Sequence, residues 1–189
     1  ELLIEGLEMF FKKQYVLIKR SLIRVNLKPE NPEIISFPYA LNEVSINRKN
    51  TSSMLSIKTI IDKNLLTTYW SDGLIISTPT GSTGYSLSSG GPILSPDTKV
   101  TILNPIAPHN ISIRPLIVRD TSEIEIKVTG RSKDQLIFLD NRKFSIPNGC
   151  SIKISKASFC INTIQLDGND FFKTLRNKLF WGMDMRNRQ

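Results

Sequence analysis

Ser71-Asp72-Gly73-Leu74-Ile75-Ile76-Ser77-Thr78-Pro79-Thr80-Gly81-Ser82-Thr83-Gly84-Tyr85-Ser86-Leu87-Ser88-Ser89-Gly90-Gly91-Pro92 changes character half-way along. Leu74 to Ser77 is a short continuous apolar run, consistent with a strand buried on both faces. It leads into a bend made almost wholly of Gly, Ser and Thr, with one Tyr. Glycines let backbone approach a ligand closely, and hydroxyls with free N–H groups suit sugar hydroxyls and phosphate. Ser82 or Thr83 is placed to cap a short helix over 84–89 and aim its N-terminus at an anion. The bend is not a Walker A loop, since Gly-Lys-Ser/Thr does not occur, nor is it the Gly-x-Gly-x-x-Gly of a dinucleotide fold. On composition alone, a flexible surface loop is the plainer reading.

Around this stretch the chain is strand after strand. Ile23, Val25 and Leu27 alternate with polar neighbours up to Pro29, and Leu55, Ile57, Thr59 and Ile61 alternate with Ser56 and Lys58. Strands are also expected over 100–103 and 113–118, separated by Pro105 and Pro108. Strict alternation marks 123–128 and 151–154. Segments 135–139 and 143–146 flank Asp140-Asn141-Arg142, which reads as a hairpin connection. The stretch 28–38, with three prolines, reads as a loop. Helical spacing appears only at the ends: Leu3, Leu7 and Phe10 within residues 1–13, and Phe171, Leu175 and Leu179 within 170–181. Many short strands with regular turn signals predict a mainly β fold, a sandwich or barrel, because each strand needs a facing sheet to cover its apolar side. Terminal helices in such a domain often belong to a neighbouring layer.

At 189 residues the chain is long enough for one sizeable core. Its composition, 40% hydrophobic and 22% charged, is that of an ordinary globular protein. No apolar run approaches the roughly 20 residues of a membrane-spanning helix, and the start lacks the basic n-region of a signal peptide. A chain opening on Glu1 directly in a helical pattern is expected to be cut from something longer. Cys150 and Cys160 read as two buried thiols rather than a disulfide, and a single histidine, His109, gives little support to a zinc site or a His-dependent triad. The net charge of +8 points to an anionic partner. Its clusters, from Lys12 to Arg24 and from Lys173 to Arg188, lack the aromatic interleaving of an RNA-binding sheet and read as solvated faces or a surface for another domain.

The run from Asp72 to Pro92 resembles the signature of NAD kinases. So do Leu41-Asn42-Glu43-Val44, the segment Asn104-Pro105-Ile106-Ala107-Pro108-His109 with Arg114-Pro115-Leu116, the hairpin turn Leu139-Asp140-Asn141-Arg142, and 175–182 near the end. The similarity covers essentially the whole chain, in order. Two departures stand out: Gly84 where the family usually has Ala, and Arg142 where it has Gln.

The resemblance implies a β-sandwich-like C-terminal domain of an NAD kinase, which transfers the γ-phosphoryl of ATP, or in some members of polyphosphate, to the 2′-hydroxyl of the adenosine ribose of NAD(H). It implies Mg²⁺ with ATP in the full enzyme, no metal held tightly by this chain, and a cytoplasmic homodimer or homotetramer that binds neither nucleic acid nor membrane. Residues 1–22 would be a remnant of an α/β N-terminal domain, 23–165 the NAD-binding domain, and 166–189 a helical tail returning to the first. The Gly-Gly-Asp-Gly motif that carries the catalytic aspartate is absent from these 189 residues, so this chain alone is expected to bind substrate without turning it over. By position, Asn42 and Glu43 would hold the adenine or ribose end, and Thr83, Gly84, Tyr85, Ser86 and Ser88 would surround the adenine. Asp72 and Ala107 would reach across a subunit interface towards a neighbour's ligand, Arg142 has an open role, and His109 is left outside the core site. The alternative is a non-catalytic β domain that binds polyanions or nucleotides. Related lipid kinases lack the Thr-Gly-Ser-Thr-x-Tyr pattern together with Asn-Glu.

Overall fold

The computed structural model describes residues 2–49, 53–168 and 170–179, and within them the period-two segments are strands. In chain order the elements are α1 (Leu2–Phe11), β1 (Tyr15–Lys28), α2 (Pro32–Ser36), β2 (Tyr39–Ala40), β3 (Glu43–Asn47), β4 (Leu55–Ile61), β5 (Asn64–Ser71) and β6 (Gly73–Ser77). After a 3₁₀ turn, Thr80–Thr83, come α3 (Tyr85–Ser88), β7 (Val100–Ile106), β8 (Leu116–Arg119), β9 (Ile124–Thr129), β10 (Asp134–Leu139), β11 (Arg142–Pro147), β12 (Ser151–Leu166) and α4 (Phe171–Leu179).

The strands form two six-stranded sheets, ordered β2-β1-β12-β9-β4-β5 and β11-β10-β3-β6-β7-β8. Alternation decides which faces meet. From the first sheet come Ile23, Val25, Leu55, Ile57, Ile124, Ile126, Val128, Ile152 and Ile154; from the second come Val44, Ile46, Leu74, Ile76, Leu103, Ile137, Leu139 and Ile146. These side chains make one buried cluster, which is the inter-sheet core expected of a sandwich. β6 is buried along its whole length, as its unbroken apolar run requires. Its second face lies under the bend that follows it. In register with Ile75 are Ser45 and Asn104, and the Asn104 side-chain amide donates to the Ser86 carbonyl at 2.9 Å.

By contacts the chain divides into two compact units, one of residues 21–160 and one of residues 1–20 with 161–189. β1 and β12 each run from one unit into the other. Within the smaller unit the Asp167 N–H donates to the Gln14 carbonyl, and the Thr163 hydroxyl accepts from Arg20 Nε while donating to the Ile18 carbonyl. The Asp170 side chain accepts from the Lys173 N–H at 2.7 Å at the start of α4.

Several expectations are corrected. Segment 28–38 contains the short helix α2, started by Asn31, whose side chain accepts from the Glu33 and Ile34 N–H groups, with Pro32 in the first turn. β3 and β5 were not anticipated, and β12 runs 12 residues past the alternation that announced it, to Leu166 rather than Ile154. Cys150 is buried but Cys160 is exposed, and both are free thiols. Residues 180 and 181 of the last expected helix lie outside the described residues.

Candidate functional site

β3 and β6 pair antiparallel, with Glu43 opposite Ser77, so the end of one strand that carries Asn42-Glu43 is the end of the other that opens into the bend. The chain then locks the two together. The Thr78 N–H donates to the Asn42 carbonyl at 2.9 Å and the Thr78 hydroxyl to the Leu41 carbonyl at 2.6 Å; the Ser77 hydroxyl donates to the Asn42 carbonyl at 3.3 Å. Gly81 is pressed against this backbone: a Cβ there would lie 2.2 Å from the Asn42 carbonyl oxygen, closer than any side chain tolerates.

Across the site stands the β10–β11 turn. Asp140 sits in left-handed backbone, φ 53°, and its carboxylate accepts from three successive N–H groups: Leu41 at 2.9 Å, Asn42 at 2.7 Å and Glu43 at 3.2 Å. The return bond runs from the Asp140 N–H to the Glu43 carbonyl at 2.9 Å. Three backbone donors converging on one carboxylate fix the Asn42-Glu43 backbone.

The side chains on this frame divide by exposure. Thr83, Gly84, Tyr85 and Ser88 are exposed on the bend, beside half-buried Asn42 and Glu43. Ser86 is placed differently: it is buried, its oxygens within reach of the Asn104 amide, so it holds the bend to β7 rather than facing outward. Ser82 is likewise spent inside, donating to the Pro79 carbonyl at 2.7 Å and accepting from the Leu94 N–H at 3.0 Å. Neither Ser82 nor Thr83 caps a helix. The N-cap of α3 is Gly84, without a side-chain hydrogen bond, and α3 is a single turn of four residues. The expected helix N-terminus aimed at an anion is therefore not formed here.

Glu43 carries the unusual electrostatics. Burial pushes its carboxyl pKa above the ordinary carboxylate value, the negative Asp140 adds to this, and the Tyr85 backbone N–H pulls part of the way back. Its Oε2 is buried and has no hydrogen-bond partner among the described residues. A buried acceptor left without a donor is costly unless something supplies one.

Asp72, Ala107 and Arg142 lie elsewhere. Asp72 precedes β6 at the end away from the bend, about 17 Å along the strand from Ser77 at the usual rise per residue. There its N–H donates to the Ile106 carbonyl and its carboxylate is paired with Arg48 at 2.8 Å; Ala107, exposed with φ 43°, follows at once. Arg142 turns from the site to staple the loop before β2, donating to the Phe37 and Tyr39 carbonyls with its guanidinium 4.7 Å from the Phe37 ring centre. His109 is exposed, its N–H donating to the Trp70 carbonyl. Asp140 and Asn104 stand in segments that resemble the family's motifs, but the sequence alone assigns neither a role in the site.

The described residues contain no group of three or more His, Cys, Asp or Glu placed to hold a metal ion. Of the two carboxylates at the site, that of Asp140 is already engaged by three N–H groups, so these residues do not fit a magnesium site.

Fold and site together define a two-sheet β domain with an open polar site at the end of its second sheet. Residues 41–166 match the ATP-NAD kinase C-terminal domain, and the chain belongs to that family. It is 46% identical over 181 residues to an NAD kinase of Christiangramia forsetii, covering 96% of this chain and 62% of that protein. It is 40% identical over 182 residues to an NAD kinase of Bacteroides fragilis, with the same coverages. The chain thus spans about 62% of the length of these curated relatives. Among solved structures it resembles yeast NADH kinase complexed with NADH, with a TM-score of 0.85 and 25% identity over 98% of this chain and 55% of that one. An NAD kinase from Archaeoglobus fulgidus in complex with ATP shares the fold, with a TM-score of 0.71 and 24% identity, covering 94% of this chain and 64% of that one.

Proposed function

We propose that this chain is the NAD(H)-binding part of an NAD kinase, and that the protein to which it belongs phosphorylates the 2′-hydroxyl of the adenosine ribose with ATP or polyphosphate as donor. The observation that carries this reading is the meeting of Asn42-Glu43 with the Gly81–Tyr85 bend, brought within bonding distance from segments some 40 residues apart. Asn42 offers both a donor and an acceptor, as the edge of adenine requires, and the Glu43 carboxylate accepts from a hydroxyl or amine. Tyr85, exposed on the bend, adds apolar surface for the base. The relative complexed with NADH supports the substrate class.

Phosphoryl transfer depends on positioning and on charge stabilisation of the moving group. Nothing here provides the family's catalytic aspartate, so residues 1–189 alone bind NAD without detectable kinase activity. Magnesium enters with ATP, held by groups other than those described. The Asp72–Ala107 end of β6 lies too far from the bend to share its ligand, and it serves the site of a second copy in a cytoplasmic homo-oligomer.

Calorimetric titration of NAD into this chain and into the intact protein tests the site. Tyr85→Ala and Asn42→Ala should each weaken binding about tenfold or more; unchanged affinity in both would remove the assignment. The net charge of +8 favours a second reading, a polyanion-binding β domain. Binding that falls steeply with salt and ignores the adenosine moiety would select it.

A further inference from the structure

β7 is buried and apolar through Ile102 and Leu103, yet Asn104 follows them, 1% exposed and opposite Ile75 of β6. An amide in such a place is costly unless it is bonded. Its partners are in α3: the side-chain N–H groups donate to the Ser86 carbonyl at 2.9 Å and to the Ser89 carbonyl at 3.3 Å. The fit is close, since a Cβ on Gly91 would stand 2.8 Å from the same nitrogen. α3 needs such a tie. One turn of four residues does not hold its shape by itself, and the carbonyls at its end have no partner within the helix. The other end of α3 is tied to β3, where the Glu43 carboxylate takes the Tyr85 backbone N–H. Between these two ties α3 carries Tyr85 and Ser88 on its exposed side.

We propose that Asn104 is a positioning residue for the nucleotide site: from beneath α3 it grips the Ser86 and Ser89 carbonyls and so fixes the direction in which Tyr85 faces the base. The inference rests on the reading of this site as the NAD site. Asn104 is enclosed below the turn, so it acts through α3 and not on the ligand. Without its donors the end of α3 is held only by its own backbone bonds, and the turn is free to roll on β6. An aromatic ring that must lie against a base loses contact when its support rolls, because both stacking and hydrogen bonds depend on geometry.

A double-mutant cycle in the intact protein tests this. NAD affinity is measured by calorimetry for the wild type, Asn104→Ala, Tyr85→Ala and the double variant, with a thermal melt of each. Asn104→Ala should weaken NAD about tenfold, in the range of the hydrogen bonds it removes. In the Tyr85→Ala background the same change should cost less than about twofold, while the drop in melting temperature stays the same in both. Steady-state assays separate positioning from a general loss of fold: the KM for NAD should rise with kcat nearly kept, whereas fewer folded molecules would lower kcat at an unchanged KM. Asn104→Ser, which keeps a donor on a shorter arm, should show the same dependence on Tyr85 with a smaller loss. An unchanged affinity in Asn104→Ala, or equal losses with and without Tyr85, would overturn the proposal and leave the site standing. So would failure of both Asn104 variants to fold, since Asn104 would then serve the second sheet itself. If Tyr85→Ala alone binds NAD as tightly as the wild type, it is the site assignment that fails, and the role of Asn104 goes with it.

Discussion

Asp140 is a residue whose local role, filling a two-residue hairpin turn, conceals a longer reach. Its φ of 53° lies in the left-handed region, where aspartate is among the few tolerated side chains, and from there the carboxylate meets the N–H groups of Leu41, Asn42 and Glu43. Removing it in Asp140→Ala leaves these half-buried donors without their charged acceptor, at an expected cost of about 2–3 kcal/mol. Denaturant unfolding measures this, and a loss below about 0.5 kcal/mol, the level of an ordinary surface change, would show that the cap is not needed. Glu43, next door, works in the opposite sense. Its folded carboxyl pKa is raised, by burial first and by Asp140 second, so the folded state holds the proton more tightly than the unfolded chain does. The stability linked to that proton is full below the ordinary carboxylate value of 4.5 and is lost as pH rises through the folded value. Glu43→Gln is therefore expected to be more stable than the wild type at neutral pH, with the gain fading in acid. Urea midpoints across a pH series check this; an advantage that grew in acid would mean that the carboxylate form is favoured in the fold. Glu43 entered the candidate site through its motif, whereas the reach of Asp140 to the Leu41–Glu43 backbone could not be read from its own. The contact joins positions 97 to 99 apart in sequence, and no local periodicity reports which strand ends a hairpin turn will face.

At the scale of elements, the joint between β3 and the bend after β6 decides whether a site exists. β6 was legible because an apolar run with no polar interruption has no exposed face to present. β3 was not: Glu43-Val44-Ser45-Ile46-Asn47 alternates, but two apolar residues are too few to declare a strand without the pairing to β6 and β10 that buries them. Directly after its first residue, Asn64, β5 carries Leu65-Leu66, where the register with β4 shifts, so its alternation is broken at the point where it would have been recognised. The bend itself suggested a capped helix, yet its hydroxyls were drawn inward to carbonyls instead, a competition that short Ser and Thr side chains commonly win. Gly81 shows how tight the joint is. In Gly81→Ala the new methyl would meet the Asn42 carbonyl group at 2.2 and 2.5 Å, and backbone cannot step aside as a side chain can. A loss of about 2–3 kcal/mol is expected from such overpacking, together with loss of NAD affinity. Gly90→Ala is the matched control. It too lies in the bend region, with φ 78° and open space around it, so only the left-handed backbone penalty of about 1 kcal/mol applies and binding should be kept. Equal effects at the two glycines would contradict the close approach of Gly81 to Asn42.

Over the whole molecule, the packing and the site fall in the same unit. Every member of the buried hydrophobic cluster lies between Ile23 and Ile154, inside residues 21–160, and so do Asn42, Glu43, the bend and Asp140. The smaller unit contributes mostly exposed apolar side chains, including Leu3, Ile4, Phe11, Leu17 and Phe172. Spacing announced the terminal helices, and the resemblance implied that residues 166–189 return towards the segment at the chain's start, but alternation alone did not show how far β1 and β12 would extend. A physical consequence follows from where the core is. Since apolar burial is the main source of folding free energy, a chain of residues 21–160 should retain most of it, although it gives up the outer lengths of β1 and β12. This segment is expected to unfold cooperatively in urea and to bind NAD with an affinity within about threefold of residues 1–189, the variation of a peripheral change of roughly 0.5 kcal/mol. A melt without a cooperative transition would mean that the extended strands are needed to close the first sheet. A folded segment that no longer binds NAD would instead place part of the ligand's contacts on residues 1–20 or 161–189, which no feature of the bend or of the Asn42-Glu43 strand end requires.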